Sequence, residues 1–89
     1  MRANLLLLAT LTALVPGLAR ALAPRVRVVG HALGTALPQE GEDTAKLAAR
    51  SLLKRVGTPG DLARALVYAA DSPYLTGEIL TLDGGTRWL

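Results

Sequence analysis

The sequence contains no cysteine and no phenylalanine, and it has one histidine, His31. Without cysteine, neither a disulfide framework nor a thiolate metal site can form. A single histidine also makes a histidine-based metal centre or a Ser-His-Asp catalytic arrangement unexpected. We therefore expect no metal site in this chain.

Aromatic residues are nearly absent as well, since Tyr68, Tyr74 and Trp88 make up the whole set. The formal net charge is a modest +3. Proteins that bind nucleic acids combine clustered basic residues with aromatic side chains that stack on bases. This interleaving is missing, so we do not expect nucleic-acid binding.

The chain is short, with 89 residues, but 51% of them are apolar. This composition is not that of a disordered protein. A chain of this length holds one domain at most and lies near the lower limit of what folds unaided. A core of Leu, Val and Ala also buries less area per residue than one that includes aromatic rings.

The first 23 residues allow two interpretations. A positive start, an apolar stretch over 5–18 and the small-x-small site Ala21-Leu22-Ala23 outline a secretory signal peptide. Alternatively, Leu11, Leu14, Leu18 and Leu22 form one face of a helix that Pro24 ends, with Pro16 as a cost in its interior. The stretch is too short and too interrupted for a membrane span, so no membrane association is expected.

The alternation of arginine and β-branched residues over Arg25–Val29 predicts a strand with a solvated face carrying Arg25 and Arg27. Gly30 to Gly34 then read as a loop, in which His31 is expected to be a hydrogen-bonded structural residue and not a catalyst. The polar stretch Thr35–Asp43, with a proline and a glycine, is typical of a surface loop. Such a loop either closes over a ligand or is an ordinary connection, and the sequence favours neither.

Two helices are predicted next. The first spans Thr44–Arg55, with apolar residues on one side and basic residues on another. Thr58 is expected to cap the second helix, with Pro59 at the first helical position and Asp61 reaching back to the cap. That helix runs from Asp61 to about Asp71.

The stretch Glu78–Leu82 is predicted to be a strand, bounded by Gly77 and by Asp83-Gly84-Gly85. Its apolar residues do not alternate strictly with polar ones, as in a strand covered on both faces. The order of elements is helix, strand, loop, helix, helix, strand. About fifty residues separate the two strands, which indicates an α/β crossover and not a hairpin. Two strands make an incomplete sheet.

Three motifs in this order resemble the C-terminal third of a short-chain dehydrogenase/reductase. The family's patterns are Ala-Pro with Arg-Val-Asn shortly after it and then Pro-Gly, Arg-x-Gly-x-Pro-x-Asp-x-Ala, and Thr-Gly followed by Asp-Gly-Gly. The matching stretches are Leu22–Val28 with Gly34, Arg55–Ala63 and Tyr74–Gly85. The resemblance extends over residues 11–85, and the run 36–41 is faintly similar to the bacterial pteridine-reductase-like branch.

The resemblance implies an α/β fold, namely the C-terminal part of a doubly wound, parallel, Rossmann-like sheet, with residues 1–89 as a single partial domain. It also implies an NAD(P) cofactor and a cytoplasmic location. The glycine-rich turn that holds the pyrophosphate in the family has no counterpart in this sequence, because Gly84-Gly85 and Gly57–Gly60 lack the strand–turn–helix context. Binding of NAD(P) by this chain alone is therefore doubtful.

The same alignment identifies candidate site residues. Gly34, Thr35 and Ala36 correspond to the loop whose backbone contacts the nicotinamide amide in the family. Asn4 and Leu8 stand where the family has its catalytic tyrosine and lysine, so no catalytic residue is expected. Val29 and Leu33 likewise replace the asparagine and the proline of the first motif.

We thus expect a segment of an NAD(P)-dependent oxidoreductase without activity of its own. A non-catalytic interaction module is the alternative, with a second copy or a homologous reductase subunit as its partner. A small exported protein that begins near Pro24 after signal cleavage is a further alternative.

Overall fold

A computed structural model of the chain describes residues 2–34 and 40–89, with residues 2–11 described through their backbone. The predicted α/β class and the order of helices and strands are confirmed. The elements are helix α1 (Arg2–Leu22), strand β1 (Gly30–Leu33), helix α2 (Thr44–Ala49), helix α3 (Pro59–Ala70), strand β2 (Ile79–Leu82) and a 3-10 helix (Thr86–Trp88).

The leucine-rich N-terminal stretch is helical throughout, and α1 continues through Pro16. Its inward side differs from the predicted leucine face, because Leu14 and Leu18 are 46% and 43% exposed whereas Ala19 is buried. The small Ala19 lies close to Gly77, where an added Cβ would stand 3.6 Å from the alanine methyl group. Because α1 and the turn before the last strand approach closely here, a small residue fits between them where a leucine would not. Within the described part of the chain, no helix combines the length and hydropathy needed to cross a bilayer.

The first strand lies later in the chain than predicted. Residues 26–29 are outside the ladder, and Gly30–Leu33, predicted to be a loop, form β1. β1 pairs in parallel with β2 in the register Gly30↔Ile79 to Leu33↔Leu82. Upstream of this ladder, Val28 bonds instead to the hydroxyl of Thr76 and to the amide of Gly77. Because Gly77 has a φ of 77°, the partner chain turns there and the ladder cannot begin earlier.

Arg27 is exposed to solvent, as expected, but its side chain is also tied to α3. Its guanidinium donates to the carbonyl oxygens of Ala69 at 2.8 Å, Ala70 at 2.9 Å and Leu75 at 3.3 Å. The first two carbonyls belong to the last turn of α3, where intrahelical partners run out. A cation at this end is also favoured by the helix dipole. Arg27 therefore joins the segment before β1 to the end of α3.

The two faces of β1 meet different helices. Gly30 faces α1, since an added Cβ would stand 3.0 Å from a methyl group of Val15. His31 faces α3 and lines a small cavity of about 220 Å³ with Leu66 and Ala69. Its Nε2 is a buried nitrogen with no hydrogen-bond partner among the described residues. The expectation of a hydrogen-bonded histidine is therefore wrong for this atom.

The predicted helix over Thr44–Arg55 is too long, because α2 ends at Ala49. The side chain of Ser51 accepts a hydrogen bond from the amide of Arg55 at 3.2 Å, and its single hydroxyl proton has two acceptors in reach, the carbonyl oxygens of Ala48 and Arg55. Serine competes in this way with backbone helical bonds. The second predicted helix is confirmed as α3, with Thr58 as its cap and Pro59 in its first turn.

The molecule is open and has little core. Its radius of gyration is 15.0 Å, whereas a compact domain of this length has about 12 Å. The accessible area is 6941 Å², against about 5000 Å² for a compact protein of this mass. The buried apolar residues among those described are Ala19 and Ala69. The predicted incompleteness of the sheet is confirmed.

The bonds of Arg27 yield a first prediction. Replacing Arg27 with alanine removes the side-chain donor from the last carbonyls of α3 and should lower the free energy of unfolding by about 1 kcal/mol. The measurement is hydrogen exchange at the amides of Asp71 and Ser72, which close the end of α3. Arg25→Ala is the matched control, because Arg25 is exposed two positions earlier. Equal effects of the two changes would contradict the capping role.

Candidate functional site at the carboxyl end of the sheet

The carboxyl ends of β1 and β2 lie side by side, with Gly34 in contact with Asp83. A Cβ on Gly34 would stand 2.8 Å from the Cα and 2.9 Å from the Cβ of Asp83. The Gly34 amide donates to the carbonyl oxygen of Leu82 at 2.9 Å. Backbones can approach this closely because glycine has no side chain. Ligands of open parallel sheets bind beyond this edge, so the candidate site lies here.

Asp83 organises the turn that follows β2. Its carboxylate accepts the amides of Gly85 at 2.8 Å and Arg87 at 3.2 Å. The Gly85 amide and then the Arg87 amide stabilise the charged form and lower the pKa of Asp83. Both carboxylate oxygens bond to this turn. Asp83 thus acts as a structural anion at the end of the strand.

The segment after α2 closes over this turn. Ser51 is 4% exposed, and its Cβ would be 3.1 Å from a Cβ added to Gly84. A Cβ on Gly85 would stand 2.7 Å from the Cδ1 of Leu52. Both glycines also have positive φ angles, of 61° and 84°, which residues with a side chain rarely adopt. The Asp-Gly-Gly sequence therefore meets both a conformational and a packing requirement.

A groove of about 930 Å³ runs beside this turn, between the segment 47–57, α3 and β2. Its size falls within the range of small-molecule pockets. The apolar part of its wall includes Leu47, Val56, Ala65, Leu80 and Leu82, and Arg50, Arg55 and Arg64 also line it.

Asp61 forms the charged centre of the groove wall. Arg55 donates to its two carboxylate oxygens at 2.9 and 3.2 Å, and Arg64 donates at 2.7 Å. The amide of Thr58 adds a bond of 2.8 Å and completes the predicted capping box. Bonding to Arg55 and then to Thr58 lowers the pKa of Asp61 well below its usual range. The same ion pair raises the pKa of Arg55.

Neither glycine-rich turn is suited to hold a pyrophosphate. A helix N-terminus attracts phosphate through free amides and its dipole. At α3 the carboxylate of Asp61 already occupies this position and accepts the amide of Thr58. Gly84-Gly85 do follow a strand, but the helix after them is a three-residue 3-10 helix, too short to supply a helix N-terminus.

The sequence-predicted site residues are placed in part. Gly34 lies at the carboxyl edge, whereas Thr35 and Ala36 fall outside the described residues. Asn4 and Leu8 lie in α1, one helical turn apart. The contact of Ser51 and Leu52 with Gly84-Gly85 was not predicted. Two adjacent glycines after a strand were the available signal, since such a pair requires a close neighbour.

The contact between Gly34 and Asp83 yields a second prediction. Gly34→Ala should lower the free energy of unfolding by about 1–3 kcal/mol, because the methyl group overlaps backbone that cannot move aside. Hydrogen exchange at the amides of Gly30 and Gly34 reports the separation of β1 from β2. Gly17→Ala is the control, since nothing lies within 4 Å of its added Cβ. Because Gly17 lies within α1, this change should raise the free energy of unfolding by up to about 1 kcal/mol. Unchanged protection in the Gly34 variant would contradict the fit.

The Asp61 cluster yields a third prediction, on pH. Because the pKa of Asp61 is lower in the folded chain than in the unfolded one, its stabilising effect is complete above about pH 4 and is lost as the pH falls further. Asp61→Asn should take up roughly one proton fewer on unfolding near pH 3. The measurement is the urea midpoint from pH 6 to pH 2. Parallel curves for the wild type and the variant would refute the lowered pKa of Asp61. The pH dependence that remains in the variant includes the contribution of Asp83, whose pKa is also lowered.

The known proteins that resemble this chain in sequence and in structure point to the same family. No protein-family model matches the chain. Over 37 residues, 42% of this chain, the sequence is 46% identical to carbonyl reductase family member 4 of Danio rerio. The match spans 16% of that relative.

Solved structures match over more of the chain. A short-chain dehydrogenase/reductase from Burkholderia xenovorans is similar over 91% of this chain with a TM-score of 0.81 and 28% identity. FolM alternative dihydrofolate reductase 1 from Brucella suis, in complex with NADP, matches over 91% with a TM-score of 0.82 and 30% identity. The chain spans 32% and 34% of these two proteins, about a third of their length. It therefore has the fold and the sequence pattern of the C-terminal part of a short-chain dehydrogenase/reductase.

Proposed function

We propose that this chain is a C-terminal segment of an NAD(P)-dependent short-chain oxidoreductase and that it does not catalyse turnover by itself. One observation carries the proposal: β1 and β2 pair in parallel, and Gly34 lies against Asp83 at their carboxyl ends. This is the edge at which a dinucleotide binds in a doubly wound sheet. The coverage of 91% of the chain by reductase structures supports the assignment.

The cofactor of the complete enzyme would be NAD(P). The Brucella suis relative was solved as a complex with NADP, and Gly34, Thr35 and Ala36 would place backbone beside the nicotinamide. At the N-terminus of α3 the carboxylate of Asp61 already takes the place of a bound anion, and α2 begins with Asp43 as its cap. We therefore expect stable cofactor binding to need residues beyond these 89.

The proposed inactivity also rests on residues inside the chain. A carbonyl reductase needs a group that donates a proton to the developing alkoxide and a cation that adjusts the pKa of this donor. Asn4 and Leu8 have the spacing of the family's tyrosine and lysine. An amide gives up no proton at neutral pH, and an aliphatic side chain has no charge. Neither residue can perform the corresponding step.

A cytoplasmic location accompanies this proposal. The family-like pattern extends into residues 11–23, which cleavage of a leader near Pro24 would remove. These residues form the second half of α1, where Val15 and Ala19 contact the sheet region. A chain that keeps this helix has not been cleaved near Pro24 for export, which agrees with a cytoplasmic location.

The proposal predicts the behaviour of chimeras with the Brucella suis relative. In one, the relative's chain through its tyrosine and lysine is joined to this chain at Ala9. In a second the junction is at Ala3, so that Asn4 and Leu8 replace that pair. The first should turn over the relative's own substrate with NADPH, and the second should be slower by at least about a hundredfold. Restoring the pair with Asn4→Tyr and Leu8→Lys should recover the rate.

Two controls accompany the chimeras. All three should bind NADP with similar affinity in calorimetry, which separates loss of chemistry from loss of fold. The isolated chain should show neither NADPH oxidation nor saturable NADP(H) binding. Turnover by the isolated chain, or equal rates with and without the tyrosine–lysine pair, would refute the proposed inactivity. An inactive first chimera would refute the assignment of the segment.

A second candidate function is non-catalytic association. It is favoured by the large apolar side chains that the described structure leaves uncovered, among them Leu53 at 66%, Val67 at 59% and Leu66 at 49% exposure. Exposed apolar surface on this scale is typical of proteins that bind a partner. The partner would be a second copy of this chain or a homologous reductase subunit.

A further inference from the structure

We propose that Asp83 is a positioning residue for the nicotinamide end of the cofactor, and that it acts through the backbone of Gly34. This inference rests on the proposed function and assigns a role within it to the turn that follows β2. A positioning residue fixes the place of a group that contacts the ligand, without contacting the ligand itself.

The backbone of Gly34 lies in direct contact with Asp83. A Cβ added to Gly34 would have three atoms of Asp83 within 3.4 Å, namely its Cα, its Cβ and its carbonyl oxygen. The Gly34 amide is bonded to the carbonyl oxygen of Leu82, the residue just before. These neighbours are main-chain atoms and a Cβ, which cannot swing aside as the far end of a long side chain can. A displacement of Asp83 is therefore passed directly to Gly34.

Hydrogen bonds to the residues that follow hold Asp83 in place. Its carboxylate accepts the amides of Gly85 at 2.8 Å and Arg87 at 3.2 Å. Its carbonyl oxygen accepts the hydroxyl of Thr86 at 2.6 Å and the amide of the same residue at 3.1 Å. A bond from an amide to an ionised carboxylate is roughly twice as strong as a bond between neutral groups. The carboxylate therefore contributes most to fixing this turn.

The segment after α2 holds the same turn from another side. The amide of Leu53 donates to the carbonyl oxygen of Gly84 at 3.2 Å, and the Cβ of Ser51 would lie 3.1 Å from a Cβ on this glycine. The chain thus leaves the turn at Gly34 and returns to it at Ser51. Loss of the carboxylate bonds of Asp83 should therefore weaken both contacts together.

The effect of Asp83 on the cofactor is expected to be one of position. Both carboxylate oxygens accept amides of their own turn. Such bonds favour the charged form and oppose the uptake of a proton, so we assign Asp83 no proton transfer. Under the proposed function, Gly34 lies where backbone contacts the nicotinamide. Asp83 should therefore change the affinity for this end of the cofactor and leave the adenosine end unaffected.

Hydrogen exchange on the full chain of 89 residues tests the contact itself. Asp83→Ala removes both carboxylate bonds and should lower the protection of the Gly34 and Leu53 amides at least about fivefold. The Gly30 amide, at the other end of the β1–β2 pair, should keep its protection, which excludes global unfolding. Unchanged protection at Gly34 would overturn the inference.

Ligand binding to the first chimera tests the consequence for the cofactor. Asp83→Ala in this chimera should weaken the binding of NADPH at least about fivefold. Adenosine 2′,5′-bisphosphate, the adenosine end of NADPH without the nicotinamide, should bind within about twofold of the parent affinity. Asp83→Asn keeps one oxygen as an acceptor for the Gly85 amide and should have a smaller effect on NADPH. Arg27→Ala is the control, because it loosens the end of α3 and not this turn, and it should change neither affinity.

The outcomes separate this inference from the proposed function. Equal weakening of NADPH and of the bisphosphate by Asp83→Ala would show a purely structural role and would overturn the inference alone. NADPH binding that Asp83→Ala leaves unchanged would do the same. A parent chimera that binds neither ligand would overturn the proposed function, and this inference with it.

Discussion

The structure depends on the parallel pairing of β1 with β2. These two short strands connect parts of the chain that are 49 residues apart, as in the pair Gly30↔Ile79. The other contacts follow from this pairing: Arg27 reaches the end of α3, Gly34 meets Asp83, and Ser51 covers the glycine turn after β2. Because so few side chains are buried among the described residues, backbone and polar hydrogen bonds determine the fold to an unusually large extent.

Elements defined by local signals were predictable from the sequence. The Thr58-Pro59 start of α3 and its reciprocal bonds with Asp61 are encoded within four residues. The position of β1 was not predictable in this way, because the alternating stretch before Gly30 has the better strand pattern. A turn at Gly77, almost fifty residues away, decides where the ladder begins. The early end of α2 likewise depends on Ser51 and on its contact with Gly84.

The candidate site was predictable to the extent that it coincides with a motif. Gly34 was predicted from its motif to contact the nicotinamide amide, and in the structure it lies at the carboxyl edge of the sheet, in contact with Asp83. The surrounding groove was not expected, because its wall combines the segment 47–57, α3 and β2. The role of Arg55 in holding Asp61 became clear from the geometry, since an arginine six residues before an acid has no fixed meaning in sequence.

The distance between β1 and β2 along the chain has a kinetic consequence. Closing a loop of this length costs about 3 kcal/mol of chain entropy or more before any strand bond forms. Neither strand can gain from local structure alone, so the sheet should form later than α3, whose start is encoded locally. During this interval β1 is an uncharged, proline-free stretch open to solvent. An exposed strand of this kind promotes aggregation until the sheet has closed.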